Sequence, residues 1–163
     1  MRDAMTIYFN GEKNAGMFLA AIGIAVVIAA ATLFRARPDY RSLAITLGLV
    51  ALVEVALGAG LYLKTDPQVN QLRARLDANA AAFYAEEAPR MTRVQRNFVV
   101  IEWVEVVLLI VAAVVAVARK DSYTVTGVAL GLLVNAAVLL AFDLLAERRG
   151  AVYLSVIEAA RRV

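Results

Sequence analysis

The residues that could do chemistry in this chain are acids and one amide set inside apolar runs: Glu54, Glu102, Glu105 and Asn135. A carboxylate at the centre of a membrane-crossing helix costs roughly 2.5–3.5 kcal/mol on insertion scales, and less near the helix ends. Glu102 and Glu105 are three apart, so on a helix they point to much the same side. Carboxylate and amide oxygens suit protons and hard cations such as Na⁺, Ca²⁺ or Mg²⁺. An anionic vestibule would equally suit an organic cation or a lipid headgroup. The structural alternative is a set of neutral acids that hydrogen-bond across helices. No Lys or Arg lies inside any of the apolar runs, so no intramembrane ion pair offsets the acids. The cations nearest Glu102 are Lys13, Arg96 and Arg148, at the ends of the runs.

Composition narrows the chemistry further. Of the 163 residues, 62% are hydrophobic and 19% charged, against ~45–50% and ~25% in soluble domains. There is no Cys, which excludes disulfides, thiolate metal sites and thiol redox chemistry, and no His, which removes the usual haem and zinc ligands. No cofactor is implied. The net charge of +3 belongs to loop arginines that set topology, and no nucleic-acid partner follows from it.

The elements that must position these residues are four membrane spans. The third run, 98–118, has no Gly or Pro and covers about 30 Å as a helix. The others are 15–34, 43–63 and 123–145. Residues 1–14 form a polar lead that reads as retained, with Tyr8 and Phe9 suited to an interfacial aromatic belt and Lys13 to snorkelling. Residues 35–42, RARPDYRS, form a tight hairpin because Pro38 cannot continue a helix. Residues 119–122 form a second, with Asp121 placed to cap the fourth span. Gly58, one turn past Glu54, leaves room beside that carboxylate. Gly127 and Gly131 form a small-residue stripe for helix packing, and Asn135, one turn on, reads as an interhelical hydrogen bond.

Between spans 2 and 3, Asp66-Pro67 signals a fresh helix start. Val69, Leu72, Leu76, Ala80 and Phe83 then make one helical stripe. The expectation is an amphipathic helical cap over 67–97, broken near Pro89. The last helix is expected to run on past the membrane, resting Val152, Val156 and Ala159, with Tyr153 alongside, on something, with a kink at Gly150.

The fold class is therefore all-α: one membrane domain over 1–163, a four-helix bundle with an extramembrane helical segment between spans 2 and 3. Four spans put both termini and 67–97 on one side, called side A, and the two hairpins on side B. Counting residues at ~1.5 Å each, Glu102 lies ~6 Å below side A, Glu105 ~10 Å, Glu54 ~13 Å and Asn135 ~15 Å. Such agreement in depth is what a shared polar site would show.

The functional expectation is a small multi-pass cell-membrane protein (of the inner membrane in a prokaryote). It would be a transporter or channel-like protein for protons, hard cations or an organic cation. The alternative is a non-catalytic partner, such as an accessory subunit, an immunity-type protein or a sensor scaffold, binding another protein through 67–97 or the C-terminal helix. A homo-oligomer fits either. No nucleophile elbow, phosphate loop, metalloprotease helix or paired intramembrane aspartate is present, so an enzyme is disfavoured. The dense basic hairpins 35–42 and 119–122 point to a cytoplasmic side B.

Overall fold

The computed structural model describes residues 1–162, which form four long helices. These are α1 (Arg2–Ala36), α2 (Arg41–Ala78), α3 (Ala80–Ala118) and α4 (Tyr123–Arg161), with one 3₁₀ turn at Pro38–Tyr40 between α1 and α2. All four are long and apolar enough to cross a membrane. At 35 to 39 residues they measure roughly 52–58 Å, some 20 Å more than a hydrocarbon core. The excess of every helix falls on side A, where the four ends pack together as a stem.

Helices α1 and α2 pair along their length, as do α3 and α4, and the two pairs meet chiefly through α2 and α4. Among the described residues the backbones of α1 and α3 do not approach one another, so the two helices stand diagonally and share only the stem core. Because α2 and α4 both run from side B to side A, this central contact is parallel.

The interior changes character along the bundle. In the membrane half it consists of small residues, with Ala30, Ala44, Ala51, Ala112, Ala129 and Ala136 all buried. Large Leu, Ile and Val side chains there face outward, as lipid permits. Lipid gives helices no hydrophobic reason to associate, so close backbone approach must hold them. In the stem, water restores the hydrophobic drive, and the core is large: Met5, Tyr8, Phe9, Leu72, Phe83, Met91, Tyr153 and Ile157. The Tyr8 and Tyr153 rings stack at 4.9 Å, with Phe9 edge-on to both. Tyr8 and Phe9 are thus core residues rather than an interfacial belt.

Several expected boundaries move. The chain does not restart at Pro67, because α2 runs through it to Ala78. Pro67 lies on an exposed face, and Leu63, whose carbonyl it leaves unbonded, is exposed as well. Asp66 does not cap a helix; its carboxylate pairs with Lys13 of α1. Pro89 is likewise exposed, and α3 passes through it unbroken. The actual break is at Asn79, whose side chain accepts a hydrogen bond from the Ala82 N–H at 3.0 Å. Residues 67–97 are therefore not a separate cap but the hairpin of α2 and α3 that extends the bundle. Leu72 and Phe83 are buried in it, and Val69 and Leu76 pack against its core, whereas Ala80 is exposed at the tip. At α4, Ser122 rather than Asp121 is the cap residue. The buried face of the C-terminal segment is Ala146, Gly150, Tyr153 and Ile157, so of the expected apolar side Tyr153 is buried, Val156 half-buried, and Val152 and Ala159 face outward. The helix is continuous through Gly150, which lies against Gln95 of α3.

Candidate functional site

Glu54, Glu105 and Asn135 are 1%, 7% and 4% exposed. Their burial follows from helix geometry. At about 100° per residue, Glu54 falls between two stripes of α2. One stripe, Ala51 and Gly58, meets Gly23, Gly16 and Ala20 of α1. The other, Ser42, Leu43 and Thr46, meets Gly127 and Gly131 of α4. Glu54 thus faces the seam between α1, α2 and α4. The space beside it at Gly58 is taken by the α1 backbone, since a Cβ there would lie 2.5 Å from the Gly16 carbonyl oxygen.

The register places the polar groups at one level. Thr46 stands opposite Gly131 in the parallel α2–α4 contact, so Glu54 is level with residue 139. Gln95 of α3 donates to the Glu147 carbonyl at 3.2 Å, so in the antiparallel α3–α4 pair Glu105 is level with residue 137. Glu54, Glu105 and Asn135 therefore lie within ~6 Å of one another along the bundle axis.

Bonding at this level is incomplete. Glu54 Oε1, Glu105 Oε2 and Glu102 Oε1 are buried without a hydrogen-bond partner. Asn135 does not bridge helices: its Nδ2 donates to the Gly131 carbonyl of its own helix at 2.8 Å. Lys13 is committed to Asp66, and among the described residues no cation pairs with Glu54, Glu102 or Glu105. Glu102 is half-buried and lines a groove between α3 and α4. Among the described residues no three acids converge as a metal ion would require.

Sequence reasoning missed Asp143, a half-buried acid two turns beyond Asn135 on α4. Its signal was there, an aspartate in AFDLL near the end of the fourth apolar run. It stands between Glu102 and the side-A surface, and its charge bears on Glu105.

Sequence reasoning also missed the buried polar pairs of the stem, because their partners are far apart in the chain. Glu87 is 3% exposed, held by Arg90 Nε and Nη2 at 2.7 and 2.6 Å and by the Tyr153 hydroxyl at 3.2 Å. Burial pushes the Tyr153 hydroxyl far above the usual phenol range, and the Glu87 charge adds to it. Glu12 accepts from Arg149, yet burial holds its carboxyl above the usual carboxylate range despite that partner. The carboxylates of these pairs have partners and read as structure, although Arg149 Nε is itself buried without one. The membrane acids Glu54, Glu102 and Glu105 have none.

Taken together, the chain is an all-α, multi-pass membrane protein with carboxyls gathered at one depth of its interior. No protein-family model matches the chain, and neither a characterised protein nor a solved structure does.

Proposed function

We propose that this protein takes up protons from side A at Glu54 and Glu105, as a small transporter or channel-like protein. The observation that carries this reading is the pair of buried carboxyl oxygens without hydrogen-bond partners at one depth. An acid that served only to lock helices would place its oxygens on donors. A dehydrated hard cation needs several oxygens around it, whereas a proton needs one carboxyl at a time. Asp143 and Glu102, nearer side A, supply intermediate positions for it.

Glu→Gln keeps the shape but removes both charge and titration. In liposomes enclosing a pH-sensitive dye, wild-type protein is expected to relax an imposed pH gradient, and Glu54→Gln and Glu105→Gln to fail. The same variants should melt higher in detergent, because a buried carboxylate is no longer maintained. Variants that melt at or below wild type and still relax the gradient would make the acids structural.

That outcome would favour the second reading, a non-transporting membrane partner. Its support is the stem groove between α1 and α4, where Ile7 and Val152 are 71% and 65% exposed outside the apolar spans.

For orientation we propose cytoplasmic hairpins. Side B carries five cations in two short turns, none ion-paired among the described residues, while five of the twelve on side A are tied to acids.

A further inference from the structure

Near side A the α3–α4 pair opens a groove of about 340 Å³ lined by Glu102, Trp103, Val106, Leu140 and Leu144. Its walls are apolar and lipid-facing, with Trp103 and Leu144 well exposed. Glu102 lines the wall; its Oε1 is closed off without a hydrogen-bond partner, so a ligand in the groove meets the carboxyl's other oxygen. Trp103 is the chain's only tryptophan, and an indole face is the best aromatic partner for a cation. Counting from the start of the third run, the carboxyl lies ~6 Å below the side-A boundary, a depth that a polar headgroup can reach while its tail stays in lipid.

We propose that this groove binds the ammonium group of an amphiphilic amine entering sideways from the bilayer, with Glu102 as counter-ion and Trp103 as cation–π wall.

Three features select this ligand class. Among the described residues the only charged side chain lining the groove is an acid, and the nearest cations along α3 and α4, Arg96 and Arg148, are not part of its lining, so an anion finds no partner in its walls. A metal ion lacks its ligands, since no three acids converge among the described residues. A small hydrophilic cation gains nothing from Leu140, Leu144 and Val106, whereas an alkyl tail does. The inference does not rest on proton binding at Glu54 and Glu105, because it uses a different acid on a different, lipid-open surface.

The single tryptophan is also the reporter. Full-length protein in phosphatidylcholine nanodiscs at pH 7 is titrated with dodecylamine and, separately, with dodecyl maltoside, which has the same tail and no charge. Trp103 emission is expected to change saturably with the amine at a midpoint at least about tenfold below that of the maltoside, as a charge-assisted hydrogen bond would give. Glu102→Gln should erase that difference, with Glu102→Asp intermediate and helical content unchanged by circular dichroism. Equal midpoints for amine and maltoside, or for wild type and Glu102→Gln, would overturn the proposal. Replacing half the lipid with phosphatidylethanolamine identifies the source within a site that passes this test. A raised amine midpoint means that the lipid's own ammonium competes for the groove, and an unchanged one means that the ligand is a free amine. Failure here would leave the pH-gradient result for Glu54 and Glu105 standing, and failure there would leave this titration standing.

Discussion

Arg149 of α4 donates to Glu12 of α1 at 3.0 Å, joining the first and last helices where the stem meets the membrane. The pair is strained electrostatically: burial raises the Glu12 carboxyl from its ordinary 4.5 more than Arg149 lowers it. Folded Glu12 therefore holds its proton more tightly than unfolded Glu12 does. Its contribution to stability is complete below about pH 4.5 and is lost as pH rises through the raised value. Glu12→Gln should flatten the fall of melting temperature with pH above 4.5 relative to wild type. Parallel melting curves for the two proteins between pH 4 and 7 would contradict this.

Two glycines on α2 give opposite expectations for the same substitution. A Cβ on Gly58 would press on the Gly16 carbonyl oxygen and on the Ala20 nitrogen at 2.7 Å, both backbone atoms that cannot give way. Gly58→Ala should therefore part α1 from α2 and cost ~1–3 kcal/mol. At Gly60 nothing lies within 4 Å, so Gly60→Ala should be neutral or gain up to ~1 kcal/mol from helix propensity. Thermal melts in detergent decide it, and equal shifts would mean that α1 and α2 are not in backbone contact.

Pro67 inside α2 makes a further case. Because the helix is continuous, Pro67→Ala restores a backbone hydrogen bond and should raise stability, by up to ~3 kcal/mol. A chain truly broken at Asp66 would gain nothing. Asn79→Ala, which removes the cap at the real break, should cost ~0.5–2 kcal/mol.

The absence of cysteine makes topology simple to test. With hairpins cytoplasmic, Ala81→Cys at the stem tip should react with an impermeant thiol reagent in intact cells. Asp39→Cys should react only after lysis. The reverse pattern would invert the protein in the membrane and leave its fold untouched.

The spans were legible because apolar length is a property of a single segment, and the turns at Pro38 and Arg119–Ser122 interrupt it plainly. The stem was misread because Asp66-Pro67 is a strong local signal overridden by its surroundings: Lys13 takes the aspartate, and the proline sits on an exposed face where the helix can run through it. For the same reason nothing local marks Glu87 as buried, since the Tyr153 hydroxyl that binds it lies 66 residues away. Asn135 was placed correctly inside, yet which carbonyl its amide chooses depends on a rotamer that no spacing encodes.

Because α2 crosses the interface as one continuous helix, the membrane interior and the stem tip are two ends of one element, with Pro67 its weakest joint. From Glu54 to Ala78 the helix is ~36 Å long, with Leu72 clamped in the stem core near its far end. A tilt of ~5° about the level of Glu54 would carry the Asn79 turn sideways by ~3 Å. Were the proposed proton uptake at Glu54 to tilt α2, the displacement would emerge in water at the Asn79 turn, well clear of the bilayer, with Pro67 the place on α2 where it could be absorbed.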